Sequence, residues 1–273
     1  MGAVRDEFGA IKIENINMNK YNDNHYKISY NDEIYYLKKS LNIESLYNGL
    51  VAEFLAKDYG ISCAYSDIYI NDGFYGYMSK DINKNSKYTP ISELIKMDSS
   101  NNLLDIWNIL EKKYCSYDVL KIMSNIVDIF LFDILIGNSD RHNMNYFIKN
   151  SIDVLPITII DNENMLNEYS IYDGFYSLQI DSEDYDMYVG EYNLLEKFII
   201  NSDSLYLDVL KSKLWIIEEQ NLMNVFKRIE ERLGVHMVED IKKKILDKMN
   251  VNYTMISRVI SKYDKGKKYE YKV

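Results

Sequence analysis

The sequence predicts an α+β protein of two lobes, with a strand-rich N-terminal lobe and a mainly helical C-terminal lobe. Turn residues separate strand-like runs over roughly the first 80 residues. Beyond Pro90, apolar residues recur at helical spacing in one segment after another. The chain of 273 residues is also longer than one hydrophobic core usually supports. We therefore expect lobes of residues 1–82 and 83–273.

The first lobe begins with two predicted hairpins that flank one helix. Residues 26–37 form two strand-like runs around the turn dipeptide Asn31-Asp32. Residues 43–59 have apolar residues at helical spacing, and Gly60 follows where a C-terminal cap is expected. Residues 66–78 repeat the hairpin pattern around Asn71-Asp72-Gly73. The order hairpin, helix, hairpin is thus predicted for the first lobe.

The second lobe is predicted to be helical apart from one pair of strands. The β-branched residues of segments 146–149 and 155–161 favour strands over helix. The apolar periodicity predicts helices at residues 91–97, 103–114, 119–137, 192–201, 205–215, 216–233, 238–249 and 253–263.

Composition excludes several classes of protein. Lys and Arg total 32 against 42 Asp and Glu, a formal charge of −10, which disfavours a surface built to hold nucleic acid. The two cysteines are too few for a disulfide framework or a zinc site of four thiolates, so a reducing cytoplasm is the simplest compartment. The most apolar stretch, residues 119–137, is interrupted by Lys121, Asp128 and Asp133, which predicts a buried helix instead of a membrane span.

The segment that can carry chemistry is the polar loop 137–145, which follows the long apolar helix. Asp140 and Asn145 lie five residues apart in it. The aspartate can accept a hydroxyl proton and the asparagine carbonyl can bind a hard cation. Asp161, at the end of the second predicted strand, supplies a further cation ligand. This set suits phosphoryl transfer, in which neutralising phosphate charge does most of the catalysis.

The same loop resembles that of the HipA-like serine/threonine kinases. Residues 135–145 read Leu-Ile-Gly-Asn-Ser-Asp-Arg-His-Asn-Met-Asn, close to the family pattern Leu-Ile-Gly-Asn-x-Asp-Arg-His-x-x-Asn. The segment 156–165 is similar to the strand and turn that follow it, residues 36–38 look like the lysine strand, and residues 77–81 look like the hinge between lobes. A more distant likeness is to phosphatidylinositol 3- and 4-kinases. The resemblance extends over about residues 25–166.

The resemblance implies a protein-kinase-like fold that binds ATP and Mg²⁺ between its lobes and phosphorylates a Ser or Thr hydroxyl of a protein. It implies Asp140 as the catalytic base and Asn145 and Asp161 as magnesium ligands. Lys38 would bind the α- and β-phosphates, and it completes the catalytic set of Asp140, Asn145 and Lys38.

Further residues are expected to contact the nucleotide. Tyr36 shares a strand face with Lys38, which favours Lys38 over Lys39 because the family pairs an adenine-side residue with the lysine two positions on. The hinge contributes Met78 and Lys80. His142 is included with them, although its simplest role is that of a packing or hydrogen-bonding loop residue.

Two features depart from the family. Residues 15–24, where the phosphate-covering loop is expected, contain no glycine, which makes close backbone approach to phosphates harder. Gly49 occupies the position of the helix glutamate that would pair with Lys38. Glu53, one turn further on the same face, is the candidate for that role, with Glu44 behind it.

Two other functions fit these residues. The Asp-Arg-His loop suits a lipid or small-molecule kinase equally well. The missing glycines and the displaced glutamate are typical of a nucleotide-binding pseudokinase or interaction module, which would bind nucleotide without turnover. The sequence does not show whether an antitoxin-like partner exists.

Overall fold

The structure is a computed structural model that describes residues 4–13, 19–20, 25–39, 42–83, 87–94, 103–138, 141, 143–151, 155–162, 165–166 and 205–270. It confirms the predicted fold class, because strands dominate the first part of the chain and helices the last part. The boundary between residues 82 and 83 stays a prediction. The helix predicted at residues 192–201 lies outside the described residues.

A six-stranded sheet forms the N-terminal part, and both predicted hairpins belong to it. Asn31 and Asp32 have φ of 50° and 63°, and Asp72 and Gly73 have φ of 48° and 80°. Positive φ at both central residues is the geometry that lets a two-residue turn match the twist of its strands. The strands of this sheet are β1 (Ile11–Lys12), β2 (Asn19–Lys20), β3 (His25–Tyr30), β4 (Glu33–Lys39), β6 (Ser66–Asn71) and β7 (Phe74–Lys80). They are arranged in the order β1-β6-β7-β4-β3-β2.

Helix α1 (Ile43–Tyr59) packs against one face of this sheet. The Asn42 side chain accepts a hydrogen bond from the Glu44 amide at the N-terminus, and Gly60 ends the helix with φ of 98°, as predicted. The helix buries residues all round, including Gly49. A Cβ on Gly49 would lie 2.4 Å from Cε2 of Tyr77 in β7, so the absent side chain is what allows helix and sheet to approach.

A second sheet of four short strands links the two parts of the chain. The predicted strand pair is confirmed as an antiparallel hairpin of β9 (Tyr146–Lys149) and β10 (Ile157–Ile159). Strand β10 also pairs in parallel with β5 (Ser62–Cys63), which follows α1. The outer strands are only two and three residues long, too short to give the periodic pattern from which a strand is predicted. The order is β5-β10-β9-β8, with β5 (Ser62–Cys63), β8 (Tyr88–Pro90), β9 (Tyr146–Lys149) and β10 (Ile157–Ile159).

The helices are α2 (Leu103–Leu110), α3 (Ser116–Ile136), α4 (Leu205–Lys213), α5 (Glu219–Leu233) and α6 (Glu239–Glu270), with 3-10 turns at Ile91–Glu93, Asn143–Asn145 and Leu214–Ile217. None of the helices within the described ranges is long and apolar enough to cross a membrane.

Four of the predicted helices need correction. The described part of 91–97 is only a 3-10 turn, and the helix predicted from residue 216 begins at Glu219 after another such turn. The helices predicted at 238–249 and 253–263 are one continuous helix, since no proline or glycine separates them. Asn252, between the two predicted segments, donates from Nδ2 to the carbonyl oxygens of Ile134, at 3.0 Å, and Leu135 at the end of α3.

The close approach at Gly49 predicts an unusual response to alanine. Alanine normally favours a helix over glycine by about 1 kcal/mol. Here we expect Gly49→Ala to lower the free energy of unfolding by about 1–3 kcal/mol, because its Cβ overpacks the Tyr77 ring. Chemical denaturation measures the change. In a Tyr77→Leu background, which removes the contacting ring carbon, the alanine should cost less. A Gly49→Ala protein as stable as its parent would contradict the expectation.

Candidate active site

Lys38 of the six-stranded sheet forms an ion pair with Asp161, which follows a strand of the four-stranded sheet. Lys38 lies near the end of β4, and Asp161 follows β10 by two residues. The Lys38 Nζ is 3.6 Å from the Asp161 Oδ1, and the two side chains are 32% and 26% exposed. The structure thus brings together Lys38, predicted to bind phosphates, and Asp161, predicted to bind magnesium. Both side chains are exposed enough for a ligand to reach them.

The strand register explains why Lys38 and not Lys39 is at this place. Lys38 lies opposite Tyr77, and both belong to the sheet face that packs on α1. Lys39 lies on the other face, where its Nζ is about 5 Å from the ring centroids of Tyr26 and Phe74. Alternation of side chains along a strand therefore separates the two lysines.

The same alternation places two of the predicted nucleotide contacts elsewhere. Met78 lies opposite Leu37 and is buried in a small apolar cluster on the far face of the sheet. Lys80 also points to that face, where its Nζ is 2.9 Å from an oxygen of Glu33. The side chains of Met78 and Lys80 therefore lie on the opposite face of the sheet from Lys38, and their contact with the nucleotide stays a prediction.

Tyr36 does share the face of Lys38, as predicted. Its hydroxyl accepts a hydrogen bond from the Lys27 Nζ at 3.3 Å, and that ammonium lies 5.0 Å from the centroid of its ring. Lys27 is also 3.2 Å from the Asp81 carboxylate. Desolvation acts to lower the pKa of Lys27, but the hydrogen bonds with Tyr36 and Asp81 outweigh it and raise the pKa above its ordinary value. The surroundings of the Tyr36 hydroxyl are consequently polar and charged.

A buried ion pair holds the polar loop. Arg141 donates from Nε and Nη2 to the two carboxylate oxygens of Asp133, both at 3.0 Å, and each side chain is 1% exposed. The Nδ2 of Asn138 donates to the same carboxylate at 2.9 Å. Burial raises the pKa of Asp133, and the charge and hydrogen bonds of Arg141 oppose that rise. The end of α3 is thereby fixed to the residues on both sides of position 140.

Arg141 also reaches the strand that carries Asp161. Its Nη1 donates to the Ile160 carbonyl at 2.6 Å, and its Nη2 donates to Oδ1 of Asn162. The Nδ2 of Asn162 in turn contacts the Cys63 Sγ at 3.0 Å. Burial raises the pKa of the Cys63 thiol to about 12. Asn162 thereby connects its own segment after β10 with Arg141 of the polar loop and with Cys63 of β5.

Asn145 lies beside the same strand end. Its carbonyl accepts a hydrogen bond from the Ile160 amide at 3.2 Å, so the backbone at 145 is bonded to the residue before Asp161. Asp161 has φ of 61°, a left-handed conformation that Asp adopts more readily than most residues. An amide oxygen and a carboxylate are the hard donors that Mg²⁺ takes while keeping several waters, so these residue types fit the metal. Asp140 and His142 lie outside the described residues.

Glu53 has a different partner from the predicted one. Its side chain is completely buried, and Arg232 of α5 donates to both of its oxygens at 2.9 and 3.1 Å. The amide and hydroxyl of Ser66 donate to it at 2.9 and 2.6 Å, and Lys57 pairs with it as well. Glu44, the second candidate, pairs with Lys248 at 2.9 Å and with Lys244 at 3.3 Å. Neither glutamate pairs with Lys38.

Sequence reasoning did not find Arg141, Asn162 or Arg232. Asp133 was read as a residue too polar for a membrane span. A buried aspartate needs a cation, and Arg141 is eight residues away in the sequence. That signal was therefore available, whereas Arg232 is 179 positions from Glu53 and no local pattern connects them.

Comparison with known proteins places this site in a kinase fold. No family profile matches the chain, and no curated protein matches it. Its structure is similar to the proinflammatory kinase CtkA of Helicobacter pylori, with a TM-score of 0.59 and 18% identity over 92% of this chain and 98% of that one. HipA of Shewanella oneidensis, solved with HipB and operator DNA, has a TM-score of 0.45 and 14% identity over 88% of this chain and 64% of its own. The likeness to CtkA confirms the predicted kinase-like fold.

Loss of Arg141 should leave a buried, unpaired carboxylate. We expect Arg141→Met to lower the free energy of unfolding by about 3–5 kcal/mol, the usual cost of breaking a buried pair from one side. Denaturant titration measures this. Adding Asp133→Asn should recover part of the loss. The control is Arg228→Met, since its pair with Asp58 is more exposed and should cost about 1 kcal/mol or less. Equal costs for Arg141→Met and Arg228→Met would contradict the role given to Arg141.

The Glu53 cluster predicts a dependence of stability on pH. Desolvation acts to raise the pKa of Glu53, but the hydrogen bonds and charge of Arg232, with Lys57 and Ser66, lower it below its ordinary value. The unfolded chain therefore takes up this proton first as the pH falls. The stabilisation is present above the unfolded pKa of 4.5 and is lost as the pH falls through the folded pKa. Between pH 7 and acid pH, the free energy of unfolding should fall less in Glu53→Gln than in the parent protein. An equal fall in the two proteins would contradict this.

Proposed function

We propose that the protein is an ATP- and Mg²⁺-dependent phosphotransferase that phosphorylates a Ser or Thr hydroxyl of a protein. The observation that carries the proposal is the Lys38–Asp161 pair, 3.6 Å apart and partly exposed in a chain with a kinase fold. A lysine and a carboxylate so placed can bind a magnesium nucleotide together, the lysine at its phosphates and the carboxylate at its metal.

Each residue would have a separate task. Lys38 would bind the α- and β-phosphate oxygens, and Asp161 and Asn145 would hold Mg²⁺, which would supply neutralisation of phosphate charge. Asp140 would accept the hydroxyl proton of the acceptor. The hydrogen bond between the Ile160 amide and the Asn145 carbonyl keeps the two segments that bear the metal ligands together. Arg141 holds both segments to α3 and so preorganises them, which spares reorganisation during transfer.

Tyr36 would lie at the adenine side of the cleft. It shares a strand face with Lys38, and its ring and hydroxyl are engaged by Lys27. The adenine would therefore contact the Tyr36 ring next to the Lys27 ammonium, which is itself paired with Asp81. His142 would join the nucleotide-binding residues, as the resemblance implies.

A second candidate is a nucleotide-binding protein without transfer activity. The pairing of Glu53 with Arg232 favours it, because Lys38 then lacks the helix glutamate expected from the resemblance. The ion pair of Lys38 with Asp161 favours transfer, since the ammonium lies next to the carboxylate proposed to bind the metal. The two candidates differ in turnover and not in binding.

The protein acceptor comes from the family resemblance, and lipid and small-molecule acceptors are separate predictions. The role proposed for Lys38 in binding phosphate is the same whichever acceptor is used. The test should therefore measure transfer to several acceptor classes and include one matched pair of lysine variants.

We expect Lys38→Met to reduce phosphate transfer from labelled ATP by about 10²–10³-fold, as for the loss of one preorganised charge-stabilising group. Lys39→Met should leave transfer largely intact, because that side chain lies on the opposite face of the sheet. Mass spectrometry of products from proteins, inositol lipids and small hydroxyl compounds would identify the acceptor class.

The outcomes separate the candidates. Magnesium-dependent ATP binding without transfer to any acceptor would favour the nucleotide-binding protein. A loss in Lys39→Met with none in Lys38→Met would show that the strand face has been assigned wrongly.

A further inference from the structure

Two arginine–carboxylate pairs join helix α1 to helix α5. Near the C-terminus of α1, Arg228 donates from Nη1 and Nη2 to the two carboxylate oxygens of Asp58, at 2.9 and 2.5 Å. One and a half turns earlier, Arg232 binds Glu53 in the same two-pronged manner. The first pair is partly exposed, with side chains 37% and 16% accessible. The second has a completely buried carboxylate, which makes its loss the more consequential of the two.

The surroundings of Arg232 restrict its position further. Its guanidinium carbon lies 4.2 Å from the ring centroid of Phe54 and 5.0 Å from that of Tyr65. Its Nη1 also donates to the Ser66 carbonyl at 3.2 Å, and the Ser66 amide donates to Glu53. Arg232 therefore binds α1 and the start of β6 at once, which fixes the rotation of the helix against the sheet.

From α1 a second contact leads to the loop of Asp161. The Asn48 side chain, five residues before Glu53, donates from Nδ2 to the Met165 carbonyl at 3.0 Å, and both residues are buried. The next residue, Leu166, donates its amide to the carbonyls of Ile136 and Gly137 at 3.2 and 3.1 Å. Met165 and Leu166 are thus held between α1 and the end of α3.

We propose that Arg232 is a positioning residue for the active site. By holding Glu53 it sets the orientation of α1, and through Asn48 that orientation sets the segment after Asp161. In the family that the chain resembles, the helix glutamate is expected to pair with the nucleotide-binding lysine. Here the same helix is fixed from behind, by the C-terminal part of the chain. The inference rests on the proposed function for its meaning, but the coupling itself is a property of the protein without ligand.

Hydrogen exchange tests the coupling directly. In Arg232→Gln we expect exchange of the Met165 and Leu166 amides to rise about tenfold or more, because their local opening becomes easier. Arg228→Gln, the matched control on the same helix, should leave these two amides within about twofold of wild type. Arg232→Lys keeps the charge but not the two-pronged geometry, and it should lie between the parent and Arg232→Gln.

Magnesium dependence of ATP binding, measured by calorimetry, supplies a second readout. Arg232→Gln should weaken binding in the presence of Mg²⁺ by about tenfold and leave binding without Mg²⁺ little changed, whereas Arg228→Gln should alter neither. A purely structural loss would move both conditions equally. Asn48→Ala, which leaves the Arg232–Glu53 pair intact, should reproduce the faster exchange at Met165 and Leu166, and it replaces Arg232→Gln if that variant does not fold.

The outcomes are separable from those of the proposed function. Unchanged exchange at Met165 and Leu166 in Arg232→Gln, or equal acceleration throughout the protein in both arginine variants, would overturn the inference. The expected exchange pattern in a protein that binds no magnesium nucleotide would support the coupling and reject the proposed function.

Discussion

The ion pair between Arg141 and Asp133 is the interaction on which the site depends. Both side chains are 1% exposed, and such a pair is tolerated only where other groups satisfy the remaining donors and acceptors. Asn138, Asn162 and the Ile160 carbonyl provide those partners. One arginine thereby joins the end of α3, the polar loop and the chain before Asp161. Arg141 thereby holds the backbone that leads to Asp161, whose carboxylate is 3.6 Å from the Lys38 Nζ.

Local patterns predicted much of this arrangement. The turn residues predicted both hairpins, and strand alternation placed Lys38 on the face of α1 and Lys39 on the opposite face. The order helix, polar loop, strand pair and aspartate also holds, and it leads to Asp161 beside Lys38. These features depend on neighbours within a few residues, which is the range over which turn chemistry and side-chain periodicity act.

The errors concern contacts between distant parts of the chain. Glu53 was assigned to Lys38 because its helical position was favourable, but a buried carboxylate goes to whichever cation packing brings near, and that is Arg232. A contact of Met78 with the nucleotide stays a prediction, and its alternation with Tyr77 puts its side chain on the far face of the sheet. Helix α6 was divided in two because the asparagine that interrupts its apolar pattern, Asn252, bonds to α3 and not to solvent.

The contacts of Arg232 and Asn252 bear on the order in which the protein can be made. Every residue assigned to phosphate or metal lies between positions 36 and 161, yet α1 gains its buried cation only from residue 232 and the end of α3 gains a donor for its carbonyls only from residue 252. During synthesis the chain that has emerged up to the Asp161 loop therefore contains all the assigned side chains without these two supports. The supports are added only as α5 and α6 dock, so a nascent chain is not expected to gain an ordered cleft before these helices have left the ribosome.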